Sequence, residues 1–233
     1  MSIESSPVTS WSEEFKRPQI HPTAYIHHSA VIIGDVRIDK NVFICTGVIL
    51  RADEGSPIII KEGSNVQDGV IMHCLKGSSI EIGSRCSIAH GAVVHGPCVI
   101  GGETFIGFNA VVHDARLGHG CYVSHCALVT NVDLPDSTMV PSGKMLQSQA
   151  EVIHLPMSGE GEKSFSSKVL SVNDELRRGY KNLNHLEIQK HESQHESQHD
   201  YQHDYQHNYI HDYHNEHRAR SRRLSRDEME NIG

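Results

Sequence analysis

The aliphatic residues of this chain recur every six positions, and this period constrains the fold more than any other feature. One run consists of residues six apart: Ile26, Ile32, Ile38, Ile44 and Leu50. Small or branched residues lie two positions before them: Ala24, Ala30, Val36, Val42 and Val48. A helix repeats near 3.6 residues and a plain strand near 2, so a period of six fits neither alone. It predicts an all-β coil of short strands joined by tight turns.

The six-residue ladder continues to about Val140, with two steps of ten residues, Leu50 to Ile60 and Met72 to Ile82. Each longer step equals one repeat plus four inserted residues, which predicts a loop protruding from the coil. In several repeats glycine directly follows an aliphatic residue: Ile33-Gly34, Ile82-Gly83, Ile100-Gly101, Ile106-Gly107 and Leu117-Gly118. This pattern resembles the left-handed parallel β-helix with three strands per coil. We expect this β-helix over residues 20–145.

The rest of the chain divides by composition. Residues 1–19 are interpreted as an N-terminal extension and residues 146–163 as a linker. Apolar residues at helical spacing predict a C-terminal α-helix over residues 164–189. Residues 190–233 contain almost nothing that could form a core and predict a disordered, His-rich tail. Its histidines at every fourth position from 191 to 211 suggest weak binding of additional metal ions.

Charge and composition narrow the classes of function. The formal net charge of −8 offers no broad basic surface, so nucleic acid is not an expected partner. The N-terminus has no apolar stretch like that of a secretory signal, and the hydrophobic content of 37% is that of a soluble protein rather than a membrane one. We therefore expect a cytoplasmic protein without a membrane partner. The six cysteines form no CxxC pair, which argues against a zinc ribbon and a disulfide framework.

Counting the repeats in threes predicts one exterior column of polar residues on successive coils: Arg51, His73, His95 and His113. Adjacent coils lie roughly 4.8 Å apart, so two imidazoles of this column can share a metal at nitrogen distances of about 2.0 to 2.1 Å. His90 is a third candidate, but the five residues to His95 span up to about 16 Å. A neighbouring subunit could supply His90. We interpret His113 as structural.

Two segments resemble the signature of the γ-class carbonic anhydrases. They are RADEGSPIIIKEGSNVQDGVIMH (51–73) and AHGAVVHGP (89–97). The resemblance implies a homotrimer in which His73 and His95 of one subunit and His90 of the next bind a divalent metal. It further implies reversible hydration of carbon dioxide to bicarbonate by a metal-bound hydroxide. Zn²⁺ is the expected metal, with Fe²⁺ or Co²⁺ as alternatives, because imidazole suits all three.

The resemblance also implies roles for other residues. The family's interface arginine and acids correspond to Arg51, Asp53 and Asp68. Its polar residues near the reacting centre correspond to Glu54, Asn65, Gln67 and Asn173. Among these, Gln67 is expected to orient the hydroxide and Asn173 to hold bicarbonate.

The sequence departs from part of the family in the loop that follows the first histidine. Lys76 stands where some members carry a glutamate that shuttles protons, and an unperturbed lysine pKa of about 10.4 suits that task poorly at neutral pH. The chain therefore resembles the short-loop branch, and low activity is expected. Two other functions stay open: a hexapeptide-repeat acyltransferase that uses CoA, and a non-catalytic subunit for bicarbonate binding or assembly.

Overall fold

The computed structural model describes residues 2–183 and 186. The chain divides into two compact units, residues 1–181 and residues 182–233. In the second unit, residues 182, 183 and 186 are helical. The predicted tail, 190–233, and residues 184, 185 and 187–189 of the predicted helix lie outside the described residues.

The first unit is built from short strands. In chain order they are β1 (Ser2–Glu4), β2 (Gln19–Ile20), β3 (Tyr25–Ile26), β4 (Val31–Gly34), β5 (Val36–Ile38), β6 (Phe43–Ile44), β7 (Ile49–Ala52), β8 (Ile58–Ile60), β9 (Asn65–Val66), β10 (Ile71–His73), β11 (Ile80–Ile82), β12 (Ser87–Ile88), β13 (Val93–Ile100), β14 (Phe105–Ile106), β15 (Val111–Leu117), β16 (Tyr122–Val123), β17 (Leu128–Leu134), β18 (Met139–Val140) and β19 (Met145–Leu146). Two helices follow them, α1 (Gln149–Val152) and α2 (160–181).

The strands stack in parallel as a coil with three faces. Face A contains β1, β4, β7, β10 and β19, together with the first halves of β13, β15 and β17. Those three long strands turn a corner, and their second halves continue face B, which begins with β2, β5, β8 and β11. Face C is a seven-stranded sheet of β3, β6, β9, β12, β14, β16 and β18. The structure is thus a parallel β-solenoid, as the six-residue period predicts.

The core lies inside the coil at the predicted repeat positions. Ile32, Leu50, Met72, Ile88 and Val123 are all fully buried. Ile26 in the first coil is only partly buried and packs against the same cluster. Because each inward side chain contacts the equivalent side chains of the coils above and below, the core is one continuous column.

The two predicted insertions are loops in the structure. Residues 53–57 connect β7 to β8, and residues 74–79 connect β10 to β11. The two loops contact each other, because the backbone N–H of Lys76 donates to Oε2 of Glu54 at 2.9 Å. They therefore extend the wall of the coil beside the column of histidines.

The structure contains strands and helices in two segments that the sequence left unassigned, and it places the start of one helix earlier. The predicted extension, 1–19, contains β1, which pairs with β4 and adds a strand to face A. The predicted linker, 146–163, contains α1 and the first turn of α2. Helix α2 begins at residue 160 rather than 164, because the Glu162 carboxylate accepts the backbone N–H of Gly159 at 2.8 Å and so caps a first turn without apolar residues.

Helix α2 lies along face C. The ring of Tyr180 stacks on Tyr25 with centroids 5.4 Å apart, and Phe165 meets Phe105 edge to face at 5.4 Å. Arg177 Nη1 donates to the carbonyl oxygen of Thr23 at 3.0 Å. Among the described residues, none of the helices combines the length and apolar character that a membrane span requires.

Candidate metal centre

Strand pairing on face A brings the predicted polar column together. Arg51 of β7 pairs with His73 of β10, His73 with His95 of β13, and His95 with His113 of β15. The imidazole centroids of His73 and His95 are 5.2 Å apart, and those of His95 and His113 are 5.3 Å apart. The pairing confirms the predicted column.

His73 and His95 form the nearest pair of candidate ligands. Nδ1 of His73 lies 3.3 Å from Nε2 of His95, and Nδ1 of His95 is buried without a hydrogen-bond partner. Burial lowers the pKa of His95, and the neighbouring His73 and His113 lower it further. His95 therefore favours the neutral form, which is the form that binds metal. Nδ1 of His73 and Nε2 of His95 are 3.3 Å apart, a separation that fits two ligands of one tetrahedral divalent ion.

Arginine and acidic side chains surround the other nitrogen of His73. Its Nε2 lies 3.1 Å from Arg51 Nη2, 3.5 Å from Asp53 Oδ1 and 3.4 Å from Glu54 Oε1. Arg51 Nε also lies 3.4 Å from Asp53 Oδ2. Asp53 and Glu54, the second and third residues after Arg51, thus return to the column, and the backbone N–H of Lys76 holds Glu54 there.

His90 lies in the turn between β12 and β13, at the end of face C. Its Nδ1 is 3.0 Å from Asp68 Oδ2, and its ring centroid is 5.3 Å from that of Phe108. Within one chain, therefore, Asp68 contacts His90 and Asp53 contacts Arg51. The pairing of Arg51 with Asp68 that the resemblance implies would have to form between subunits.

A buried hydrogen-bond chain leads to Gln67. Nε2 of Gln67 donates to Oδ1 of Asn65 at 2.9 Å, and Nδ2 of Asn65 donates to Oγ of Ser87 at 2.8 Å. Gln67, Asp68, His90 and Asn173 all line one cleft of about 280 Å³ between face C and α2. Nδ2 of Asn173 donates to the Val169 carbonyl at 2.9 Å, within the helix.

The predicted site residues thus form two groups in one chain. The first group contains Arg51, Asp53, Glu54, His73 and His95; the second contains Asn65, Gln67, Asp68, His90 and Asn173. Within residues 2–183 and 186, no set of three or more His, Cys, Asp or Glu side chains is arranged to hold a metal ion. One chain therefore supplies two adjacent imidazoles in one place and the third candidate ligand in another.

An apolar stripe runs beside the histidine column on the outer surface of face A, two residues before it in each strand. We define the apolar stripe as Ile49, Ile71, Val93, Val111, Leu128 and Met145, which pair in this order. Ile71 is 42% exposed and Met145 is 61% exposed. The equivalent outer column of face B contains charged residues, among them Arg37 and Glu81 on either side of Ile59.

Sequence reasoning missed the apolar stripe, although its signal was present. The same count by coils that found the histidine column also finds this stripe at a constant offset. It missed Ser87 as well, because a single serine within a strand carries no distinctive pattern.

Comparisons with known proteins agree with this architecture. A carbonic anhydrase of Methanosarcina thermophila is 37% identical over 201 residues, which cover 77% of this chain and 81% of that protein. The carboxysome assembly protein CcmM of Nostoc sp. is 39% identical over 192 residues, which cover 77% of this chain and 35% of CcmM. The chain thus spans about a third of the length of that relative. No protein-family model matches the chain.

A solved structure supports the fold. The hexapeptide transferase family protein of Anaplasma phagocytophilum matches with a TM-score of 0.62 and 27% identity, over 71% of this chain and 93% of that protein. This structural match and the long sequence match to the Methanosarcina enzyme together define the class of protein. The chain belongs to the γ-class carbonic anhydrase family, whose fold is a left-handed β-helix.

Proposed function

We propose that this protein is a homotrimeric, metal-dependent carbonic anhydrase that hydrates carbon dioxide reversibly to bicarbonate. Each site would be shared between subunits, with His73 and His95 from one chain and His90 from the next. Zinc is the proposed metal, with iron(II) or cobalt as alternatives. The 37% identity to the Methanosarcina carbonic anhydrase supports the proposal.

The observation that carries the proposal is the division of the site into two groups on one chain. A three-histidine site needs a third imidazole beside His73 and His95, and His90 instead contacts Asp68 and Phe108. A rotation that places the His90 corner of one subunit against face A of another would join the two groups. The apolar stripe supports this arrangement, because a row of exposed aliphatic side chains beside a polar site is typical of an interface.

Each residue near the centre has a definite chemical capacity. When bound, a divalent ion held by three neutral imidazoles lowers the pKa of water to about 7 and so supplies a nucleophile for carbon dioxide. Nε2 of Gln67 donates one hydrogen bond to Asn65, which fixes the orientation of the amide, so that its Oε1 can accept a hydrogen bond from the reacting hydroxide. Glu54, beside His73, can accept a proton. Asn173 lines the same cleft as Gln67 and can contact bicarbonate.

The charged residues beside the column would brace the interface. Arg51 contacts Asp53 within its own chain, and its guanidinium has further donors that could reach Asp68 of a neighbouring subunit. A planar guanidinium suits two carboxylates at once. Under this proposal, removing Arg51 would weaken both the trimer and the metal site.

A second candidate function is a non-catalytic subunit that binds bicarbonate or serves in assembly. The 39% identity to a carboxysome assembly protein favours it. A third, acyl transfer from CoA, is favoured by the match to a hexapeptide transferase structure. The two groups of site residues favour hydration over acyl transfer. Hydration needs several histidines as metal ligands, whereas acyl transfer needs one histidine as a base and no metal.

The test combines metal analysis of anaerobically purified protein with carbon dioxide hydration by stopped flow. We expect one tightly bound divalent ion per chain, and its loss together with activity in His73→Ala, His90→Ala and His95→Ala. His119→Ala is the matched control, since His119 is a surface histidine paired with Glu103. Metal without hydration would favour the non-catalytic subunit. CoA binding by calorimetry without tight metal would favour the acyltransferase.

A further inference from the structure

We propose that Asp68 is a positioning residue for His90. It holds the His90 imidazole as the tautomer protonated on Nδ1, which leaves the lone pair of Nε2 free to bind a metal. The inference rests on the proposed function in one respect, that His90 is a ligand. It goes beyond that function by naming the ligating nitrogen and the residue that selects it.

The Asp68 carboxylate is fixed by the coil that precedes it. Oδ1 of Asp68 accepts the backbone N–H of Thr46 at 3.1 Å. Oδ2 lies 3.0 Å from Nδ1 of His90 in the following coil. The carboxylate therefore bridges three successive coils, and its hydrogen bond to the Thr46 backbone sets its orientation.

The ring of His90 is also bounded on its other side. The Phe108 ring of the next coil lies 5.3 Å from it, centroid to centroid. Phe108 is itself stacked on His125 at 4.2 Å, and its backbone N–H donates to Nδ1 of His125 at 3.0 Å. His90 thus has neighbours that limit its rotation in both directions along the coil.

The chemistry of the contact decides the tautomer. A neutral imidazole carries one N–H, and an ionised carboxylate can only accept a hydrogen bond. Nδ1 of His90 must therefore be the donor to Asp68, so Nε2 keeps its lone pair. A carboxylate on the second nitrogen of a metal-binding histidine fixes the ring, and losing such a partner typically lowers metal affinity about 10- to 100-fold.

His73 has its carboxylates at the opposite nitrogen, and Nδ1 of His95 has no hydrogen-bond partner. Nδ1 of His73 faces His95, and the carboxylates of Asp53 and Glu54 lie at its Nε2. Among the three histidines, a carboxylate at Nδ1 is thus found at His90. This contrast identifies Asp68 as the residue that selects the tautomer of His90.

The direct test is the tautomer of His90 in the metal-free protein, measured by NMR of ¹⁵N-histidine-labelled protein at pH 8. The His90 signal is assigned as the one that disappears in His90→Gln. We expect Nδ1–H in the wild-type protein and a shift toward Nε2–H in Asp68→Ala. His119 is an internal control with the opposite geometry, since its Nε2 lies 3.4 Å from Glu103. It should be Nε2–H in both proteins.

Two results would overturn the inference: Nε2–H at His90 in the wild-type protein, or the same tautomer with and without Asp68. The wild-type spectrum decides even when Asp68→Ala fails to fold. In a folded Asp68→Ala trimer, competition with a chromophoric chelator should show zinc affinity reduced about 10- to 100-fold, and unchanged affinity would also contradict the inference. Because the tautomer is measured without metal, its outcome is separate from the metal content and hydration rate that test the proposed function.

Discussion

Replacing Ile71 of the apolar stripe should dissociate the proposed trimer without unfolding the coil. Ile71 points outward from β10 while its neighbour Met72 is fully buried in the core. A change at Ile71 therefore acts on whatever covers face A and leaves the interior intact. Ile71→Ala removes apolar surface, and Ile71→Asp adds a charge that the interface would have to desolvate.

The size of the effect follows from exposure. Complete burial of an isoleucine side chain is worth about 1.5–3 kcal/mol, and 42% of Ile71 is still exposed in one chain. Its further burial at an interface is then worth about 0.6–1.3 kcal/mol. Three copies per trimer give about 2–4 kcal/mol, which is about 30- to 1,000-fold in the association constant for Ile71→Ala. Ile71→Asp should cost more.

The assay is sedimentation equilibrium over a series of protein concentrations, with circular dichroism to verify the fold. Ile59→Asp is the matched control, because Ile59 has the same outward orientation on face B but lies between Arg37 and Glu81. We expect the control to remain trimeric. The reasoning is refuted when Ile71→Asp assembles as tightly as the wild-type protein, or when both aspartate variants dissociate equally.

Three further predictions concern the loop, the cysteines and the tail. Lys76→Glu should raise hydration turnover in dilute buffer but not in abundant imidazole, and equal rates in dilute buffer would show that position 76 takes no part in proton transfer. Burial raises the pKa of Cys45 and Cys74 to about 12 from an ordinary value of 9.0. A thiol reagent at pH 8 should therefore label exposed Cys126 first, and prompt labelling of several thiols in the native protein would contradict this burial. The free energy of unfolding should fall as the pH rises above 9, because the thiols of the unfolded chain lose their protons there and the buried thiols of the folded chain do not. Deleting residues 190–233 should preserve the trimer and one tight metal per chain while removing weak metal binding measured by equilibrium dialysis, and loss of the tight metal would contradict it.

The period of six was sufficient to predict the solenoid because it follows directly from the geometry of the coil. Every coil must bury one aliphatic side chain per face, so residues such as Ile44 and Val66 repeat in the sequence as they stack in space. The same count located the insertions at 53–57 and 74–79. Segments that contact the coil without repeating carry no such signal, which explains why β1 and the first turn of α2 were missed.

The histidine column was predictable for the same reason, since His73 and His95 occupy the same position in successive coils. The contact between Asp68 and His90 was not predicted. Both residues lie in turns, where the direction of a side chain depends on local backbone geometry and not on strand alternation. The separation of His90 from His95 was predicted from the extended span of the five residues that lead from one to the other. The position of His90 beside Gln67 and Asn173 could not be predicted, because it depends on how α2 packs on face C.

The most direct test of the shared site is complementation between two inactive variants, His73→Ala and His90→Ala, that are co-assembled from denatured subunits. A His90→Ala subunit still offers His73 and His95, and a His73→Ala subunit still offers His90. Random mixing rebuilds a complete three-histidine site at about a quarter of the interfaces of a cyclic trimer. Recovery of tight metal and carbon dioxide hydration in the mixture, relative to either variant alone, is the predicted result. No recovery in trimers verified to contain both variants would contradict the intersubunit site.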